Sequence, residues 1–589
     1  MRWLALLVAL AVASPAGAQP GDWYETDDLL GSLRPAERSA VVAQAGLGSA
    51  SELALYEIAL QLADDLRSFE LDETIWFTNR AGRPLPEIVL RVYANAVGDE
   101  PLVSLVRGEC LDGLACSVSE VSRSAIVVRL ARPLAPDGRL RMHLVLRGRL
   151  RDIAAERTTM MGQSLESLGA LTGGHGHGDY GLLAHSDGVA SMTYFFPMLA
   201  RMRGGRWEQS DASTMGDLGN DELAHVRARI RAPRGVRVAA SGVVSASGRD
   251  TAAVAGFVRD FAIVASRRFV TRERRVGDVV VRSWFLDGHD ASGARVLDAA
   301  ARSFALFTRR FGPYPYTELD VVEAPLVGGA GGMELSGLVT VATMFYRPMR
   351  AGDLGGLFAV LGARAGDLEA HRLSSLEVVT AHEVAHQWWH GLVGSDSRRH
   401  PFQDECLAQY SAMLYLEDRY GRERAEREAA RHVAASYHMM RLMGRPDAAV
   451  DRPVSAFGDP LSYAGLVYGK GPYLYPALRR LLGDRAFFGA IQDYVRAHRF
   501  RMAPPRALFD RMARGRHAAE VRALERRWLE EAHGDADLGP PDLGRMLGVP
   551  ARGDDPALRA LQRLLGEGTA SPEGLMRGLM EMLEEGVGP

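Results

Sequence analysis

Three side chains past the middle of the chain have the types and spacing that a metal ion requires. His382 and His386 stand four residues apart in His382-Glu383-Val384-Ala385-His386, so on a helix they lie one turn apart on one face and both imidazoles reach one ion. Glu383 sits beside that ion without being a ligand. After eighteen intervening residues comes Glu405, which opens an amphipathic run with Leu407, Tyr410, Leu414 and Glu417 at helical spacing and Gly421 behind it. Two neutral imidazoles and one carboxylate leave a tetrahedral position open for water, the arrangement of a catalytic zinc site rather than a closed structural one. Metal charge lowers the pKa of such a water to about 7, and Glu383 can take its proton as it attacks a carbonyl. One Zn2+ per chain is the expected cofactor.

The elements that must position these groups are a helix through His382 and His386 and a second one opened by Glu405. Ser374 and Glu377 have capping-box spacing, apolar residues follow through Trp389, and Gly391 is a natural stop, so the first helix is expected from about Ser374 and a short turn should lead to the second.

His382-Glu383-Val384-Ala385-His386-Gln387-Trp388-Trp389, followed at the right interval by Asp404-Glu405-Cys406-Leu407-Ala408-Gln409-Tyr410, resembles the gluzincin zinc peptidases, and specifically the M1 family of aminopeptidases. Asp404 and Cys406 stand where that family usually has Asn and Gly, and Ala412 where it often has an acidic residue. The resemblance implies an α+β multidomain fold: a β-rich, saddle-like N-terminal domain, then a mainly helical, thermolysin-like zinc peptidase domain and a short helical tail.

Two further segments suit this chemistry. Gly328 to Leu335 is glycine-rich and carries Glu334, and glycines let backbone approach a ligand closely. A carboxylate near a zinc site can hold a protonated α-amino group so that only the first peptide bond meets the metal. Gly331-Gly332-Met333-Glu334-Leu335 is similar to the family's exopeptidase motif, which implies substrate binding by Gly331, Gly332, Met333 and Glu334. Ser462 to Tyr473 places Tyr468 in a Gly-broken loop, and a phenol aimed at developing oxyanion charge stabilises the transition state more than the substrate. Val467-Tyr468-Gly469-Lys470-Gly471 resembles the family's catalytic tyrosine motif, and Tyr463 matches a second tyrosine five residues earlier, at the substrate.

At 589 residues, 47% apolar and 24% charged, the chain is long enough for two or three domains, and a net charge of -3 gives no reason to expect nucleic acid. Met1 to Ala18 has a charged start, a short apolar run and an Ala16-Gly17-Ala18 cleavage pattern, which reads as a signal peptide and predicts export to the periplasm or the extracellular space without a stable membrane anchor. Cys110 and Cys116 flank a short loop and fit either a local disulfide or two free thiols, while Cys406 is expected to be buried.

Glu52 to Leu66 reads as helix-like, and alternating strand patterns run from Phe69 to Phe285. Helical periodicity takes over from Ala294. The expected organisation is therefore signal peptide 1–18, β-rich domain 19–287, catalytic domain 288–537 and short tail 538–589, with 346–373 as an insertion that forms a lid or an edge. His175 and His177 fall in a glycine-rich stretch read as a surface loop, and Thr193 to Ala200 as either a cleft border or an aromatic strand end in the core. The function expected from this reading is zinc-dependent hydrolysis of the N-terminal bond of peptide substrates. Two alternatives remain, a zinc endopeptidase on the same scaffold and a non-catalytic peptide-binding protein. Oligomeric state is not legible.

Overall fold

The computed structural model describes residues 22–98, 100–163, 166, 180–209, 215–219, 222–348 and 365–540. The signal-peptide stretch, His175 and His177, most of the 346–373 insertion and nearly all of the tail lie outside them.

Alternation of apolar and polar residues builds the N-terminal part. Along Ser68–Thr78 the side chains of Phe69, Leu71, Ile75 and Phe77 turn inward while Ser68 and Glu70 stay exposed, the period-two pattern of a sheet with one wet face. This strand sits inside a seven-stranded sheet in the order Val243–Ser247, Asp250–Val258, Ala224–Arg231, Ala54–Leu62, Ser68–Thr78, Arg139–Arg149, Val103–Cys110. Five-, four- and two-stranded sheets complete the region. The helix-like reading of Glu52 to Leu66 is corrected. Ala54–Leu62 is a strand, paired parallel to Ala224–Arg231 and antiparallel to Ser68–Thr78, because partners distant in sequence override a local pattern that serves either period. Cys110 and Cys116 form a disulfide joining two adjacent strand ends. Phe195 and Phe196 are fully buried, which makes Thr193 to Ala200 a core strand end.

Glu73 breaks the pattern. It shares the inward face with Leu71 and Ile75, is fully buried, and neither carboxyl oxygen has a hydrogen-bond partner among the described residues. Burial, with Asp72 adding to it, pushes this carboxyl well above the ordinary 4.5, so it holds its proton more tightly folded than unfolded. Stability is then intact below about pH 4.5 and falls as pH rises toward the folded-state value, with a limiting slope of about 1.4 kcal/mol per pH unit. Glu73→Gln should remove that slope, as measured by denaturant unfolding across pH 5–9; equal pH dependence in both proteins contradicts this account.

A second unit follows. Phe269–Val276, Val279–Leu286, Glu318–Ala324, Leu338–Ala342 and Gly332–Leu335 form one mixed sheet, so two of its strands come before the expected boundary at 288. Helix Asp290–Phe311 packs on this sheet and against helix Ala365–Ala385, which in turn packs on helix Glu405–Tyr420. Asp290–Phe311 begins with Asp290 in its first turn and ends with Arg309 and Arg310 in its last, charges that suit the ends of the helix dipole.

The two units are bound tightly. Buried Arg499 donates to Glu37 at 2.6 Å and to the Pro313 carbonyl at 2.9 Å. Arg259, also fully buried, donates to the Gly391 carbonyl at 3.0 Å, just past the second metal-site histidine. No helix among the described residues is long and apolar enough to cross a membrane.

Candidate metal and substrate site

The first site helix runs over Ala365–Ala385 and does not start at Ser374. Instead of capping, Ser374 donates to Glu428 at 2.9 Å. Glu377 accepts from Arg295 at 2.5 Å, Tyr415 at 2.9 Å and Tyr420 at 2.6 Å, pinning three helices together. The capping spacing was coincidental, since both side chains are engaged by other helices. Nor is the link to the second helix a simple turn: residues 386–404 include the short strand Val393–Gly394, which pairs with Arg501–Met502.

Beyond His386 each successive residue is anchored. Gln387 bonds the backbone around Leu335, Trp388 donates to the Gly312 carbonyl at 3.0 Å, and Trp389 donates to Ser411 at 2.9 Å on the second site helix. Asp404 caps that helix, its carboxylate accepting from the Glu405 backbone at 2.9 Å and from the Ser395 hydroxyl.

These anchors bring the metal-site residues together. His382 Nε2 and His386 Nε2 are 3.1 Å apart, and Glu405 Oε2 lies 3.2 Å from the first and 3.4 Å from the second. Tetrahedral zinc with bonds of about 2.0–2.1 Å sets its ligand atoms about 3.3 Å apart, so the donor set and its spacing fit the ion. His386 donates from Nδ1 to the Trp389 carbonyl at 2.9 Å, leaving Nε2 as the lone-pair nitrogen. Gln409, one turn after Glu405, lies against the other ring, while His382 Nδ1 has no hydrogen-bond partner among the described residues. Burial opposes charge on Glu405, but the two imidazoles beside it hold it below the usual carboxylate range.

Glu383 faces Gly332 so closely that a Cβ there would overlap its carboxyl group. The motif's glycine thus gives the carboxylate room. Burial raises Glu383 to about 8, with His386 pulling it back. Gly331 packs near Val379 and Phe345. Glu334 is on a strand, not in an exposed turn: Gly332–Leu335 pairs antiparallel with Leu338–Ala342, and Met333 next to it is partly buried. Ligand atoms of Glu334, Glu383 and His386 all lie within 4.8 Å of one another.

Tyr468 also departs from expectation, in that no loop carries it. It lies in wide π-helical turns over Ala464–Lys470 that continue helix Pro460–Tyr463, a geometry common at functional sites. Its ring centroid is 5.8 Å from that of His382, and Glu405 is among the groups that raise its phenol. Tyr463 is buried beside it, ring centroids 5.7 Å apart. Lys470, the only lysine of the chain, does not face the site. It is fully buried, donating to Asp447 at 2.9 Å and to the Ala448 and Glu531 carbonyls, which explains a residue that holds the turn's end in place.

One residue escaped sequence reasoning. Asp217, on the short segment 215–219 of the N-terminal part, brings a carboxyl oxygen within 4.8 Å of oxygens of both Glu334 and Glu405. The backbone beside it, at Gly216, rests on Tyr180 and Tyr463. Burial, then Asp217, pushes Glu334 well above its ordinary range, with His386 opposing. Two carboxylates converge here, and among the described residues no arginine or lysine is paired with either. No motif marks Asp217, one acid among many in a Gly- and Asp-rich stretch.

Residues 360–528, which hold the metal triad, Glu383 and Tyr468, match the peptidase family M1 domain. Aminopeptidase M1-B of Oryza sativa subsp. japonica is 26% identical over 221 residues, 37% of this chain and 23% of that protein. The mitochondrial aminopeptidase 2 of Saccharomyces cerevisiae is 25% identical over 276 residues, 46% of this chain and 26% of that one. The chain thus spans about a quarter of the length of the curated relatives it matches. The fold extends further: an M1 zinc metallopeptidase from Deinococcus radiodurans superposes with a TM-score of 0.54 at 17% identity, covering 82% of this chain and 94% of that one. The N-terminal sheets and the matched stretch therefore share the fold of that structure.

Proposed function

We propose that the protein is a zinc aminopeptidase that removes the first residue of peptides. The observation that carries this reading is the pair of carboxylates, Glu334 and Asp217, facing the metal triad with no arginine or lysine paired to either among the described residues. Two oxygens that each hydrogen-bond one ammonium nitrogen at about 2.8 Å in tetrahedral directions are about 4.6 Å apart, which the spacing within 4.8 Å admits. A peptide's α-ammonium is the cation that places the first carbonyl, and no later one, beside the metal.

His382, His386 and Glu405 would hold the zinc, which when bound supplies a Lewis acid that activates water and polarises a carbonyl. Glu383 accepts the proton of the attacking water at its carboxylate and returns it to the departing amine. Tyr468 donates its phenolic hydrogen to the oxygen on which negative charge develops. Glu334 and Asp217 bind the amine, Gly332 leaves space for Glu383, and Tyr463 braces Tyr468 from behind. The relatives named above are aminopeptidases by description, and a variant of the Deinococcus radiodurans structure is described bound to a Tyr-Ser-Ala substrate; both support a peptide substrate here.

A panel of aminoacyl reporter substrates, each compared with its N-acetylated form, tests the reading. Free-amine reporters should be hydrolysed and a chelator should abolish the activity, while Glu334→Ala should lower kcat/KM for free amines by about a hundredfold and leave acetylated substrates unaffected. Efficient internal cleavage of acetylated peptides by the unaltered protein would instead establish an endopeptidase, and metal binding without hydrolysis a peptide-binding role.

A further inference from the structure

The strand that carries Glu334 is held by side chains from outside its own hairpin. Gln387, directly after His386, donates from Nε2 to the Leu335 carbonyl at 2.8 Å and accepts at Oε1 from the Gly337 amide at 2.9 Å. The Tyr314 hydroxyl lies 3.4 Å from the same Oε1, so two donors face the amide's oxygen and a carbonyl faces its nitrogen, which sets the direction of the group. Asp260, from the N-terminal part, accepts from the intervening Ser336 amide at 2.6 Å, and its other oxygen is 3.4 Å from His390 Nε2. Three successive residues at the tip therefore each give a backbone group to a buried side chain that the hairpin does not contain.

A tight two-residue turn closes by its own backbone bonding, helped here by Gly337 at φ +75°. The external bonds are not needed to close it. What they add is a fixed position relative to the metal-site helix. Gln387 adjoins one metal-site residue and Leu335 adjoins Glu334, so one side chain spans the two halves of the site. Buried amide-to-backbone bonds of this kind are costly to leave unmade, and a group that orients a reactant loses effect with displacements of about 1 Å.

We infer that Gln387, supported by Asp260, is a positioning residue that sets the span from the metal triad to Glu334, and with it the distance between the bound amine and the bond to be cut. The inference rests on the reading of Glu334 as the amine anchor. Gln387 acts through Glu334 and touches no substrate, so its loss falls on recognition of the free amine and spares both metal binding and the reaction of substrates that lack the amine.

Gln387→Met keeps side-chain bulk and removes all three polar contacts, and Gln387→Glu keeps the acceptor for Gly337 while removing the donor to Leu335. Both are compared with Glu334→Ala by zinc content, kcat and KM on free-amine and acetylated reporters. Gln387→Met should retain one zinc per chain, raise KM for free amines about tenfold and change kcat less than about threefold; Gln387→Glu should shift KM in the same direction by less. Added to Glu334→Ala, Gln387→Met should change KM less than about twofold, because the two residues act as one unit. Zinc loss, an unchanged KM in both Gln387 variants, or a full additive effect in the Glu334→Ala background overturns the inference while leaving the amine anchor standing. Equal loss on free and acetylated substrates in Glu334→Ala overturns the amine anchor, and the positioning role with it.

Discussion

Glu383→Gln is expected to bind zinc at the stoichiometry of the unaltered protein and to lose about a thousandfold in kcat. The substitution preserves shape, so the contact with the bare face of Gly332 survives and the three metal-site residues, bonded through their own helices, stay where they are. An amide cannot accept and return a proton, and that step is worth about 10²–10⁴ in rate. The raised Glu383 carboxyl, near 8 in the absence of metal, shows how strongly burial favours a held proton there. Metal analysis beside steady-state kinetics decides the matter. Near-normal turnover with metal bound would remove Glu383 from the chemistry, and loss of metal would make it a structural group.

The second large effect is expected from Tyr468→Phe. The ring's packing against His382 and Tyr463 is retained, so the π-helical turn should keep its form and only the phenolic donor is lost. A donor that serves the transition state more than the bound substrate shows itself in kcat: a fall of about a hundredfold or more, with KM changed less than about threefold. Burial and the neighbouring Glu405 hold the phenol well above its ordinary range, which favours the protonated form that can donate. A rise in KM with unchanged kcat would assign Tyr468 to substrate binding instead.

These two experiments address residues that were legible in the sequence, and the reason is geometric. The four-residue spacing of His382 and His386 becomes a shared helix face without help from the rest of the molecule, and Glu405 opens a second helix with its own apolar pattern. Glu334 and Tyr468 were readable by motif, but their settings were not. Glycine richness suggested a loop for both, whereas cross-strand pairing made a strand of the first and unbroken helical turns carried the second. The supposed cap at Ser374 and the supposed helix at Glu52 to Leu66 failed for one reason: a local pattern compatible with two structures is decided by partners far away, here Arg295, Tyr415 and Tyr420 in one case and two neighbouring strands in the other.

What the sequence determined by itself was the candidate donor set, the carboxylate beside it and the order of β-rich and helical parts, because each depends on residue type and on spacing within one element. Only the tertiary structure decided that Asp217 joins Glu334 across a distance of more than a hundred positions, that Gln387 and Asp260 grip the hairpin between them, and that Lys470 is an internal brace. Those facts depend on where separate elements come to rest against one another. That placement results from the burial of whole surfaces and the pairing of every enclosed polar group, so no short stretch of the chain contains it.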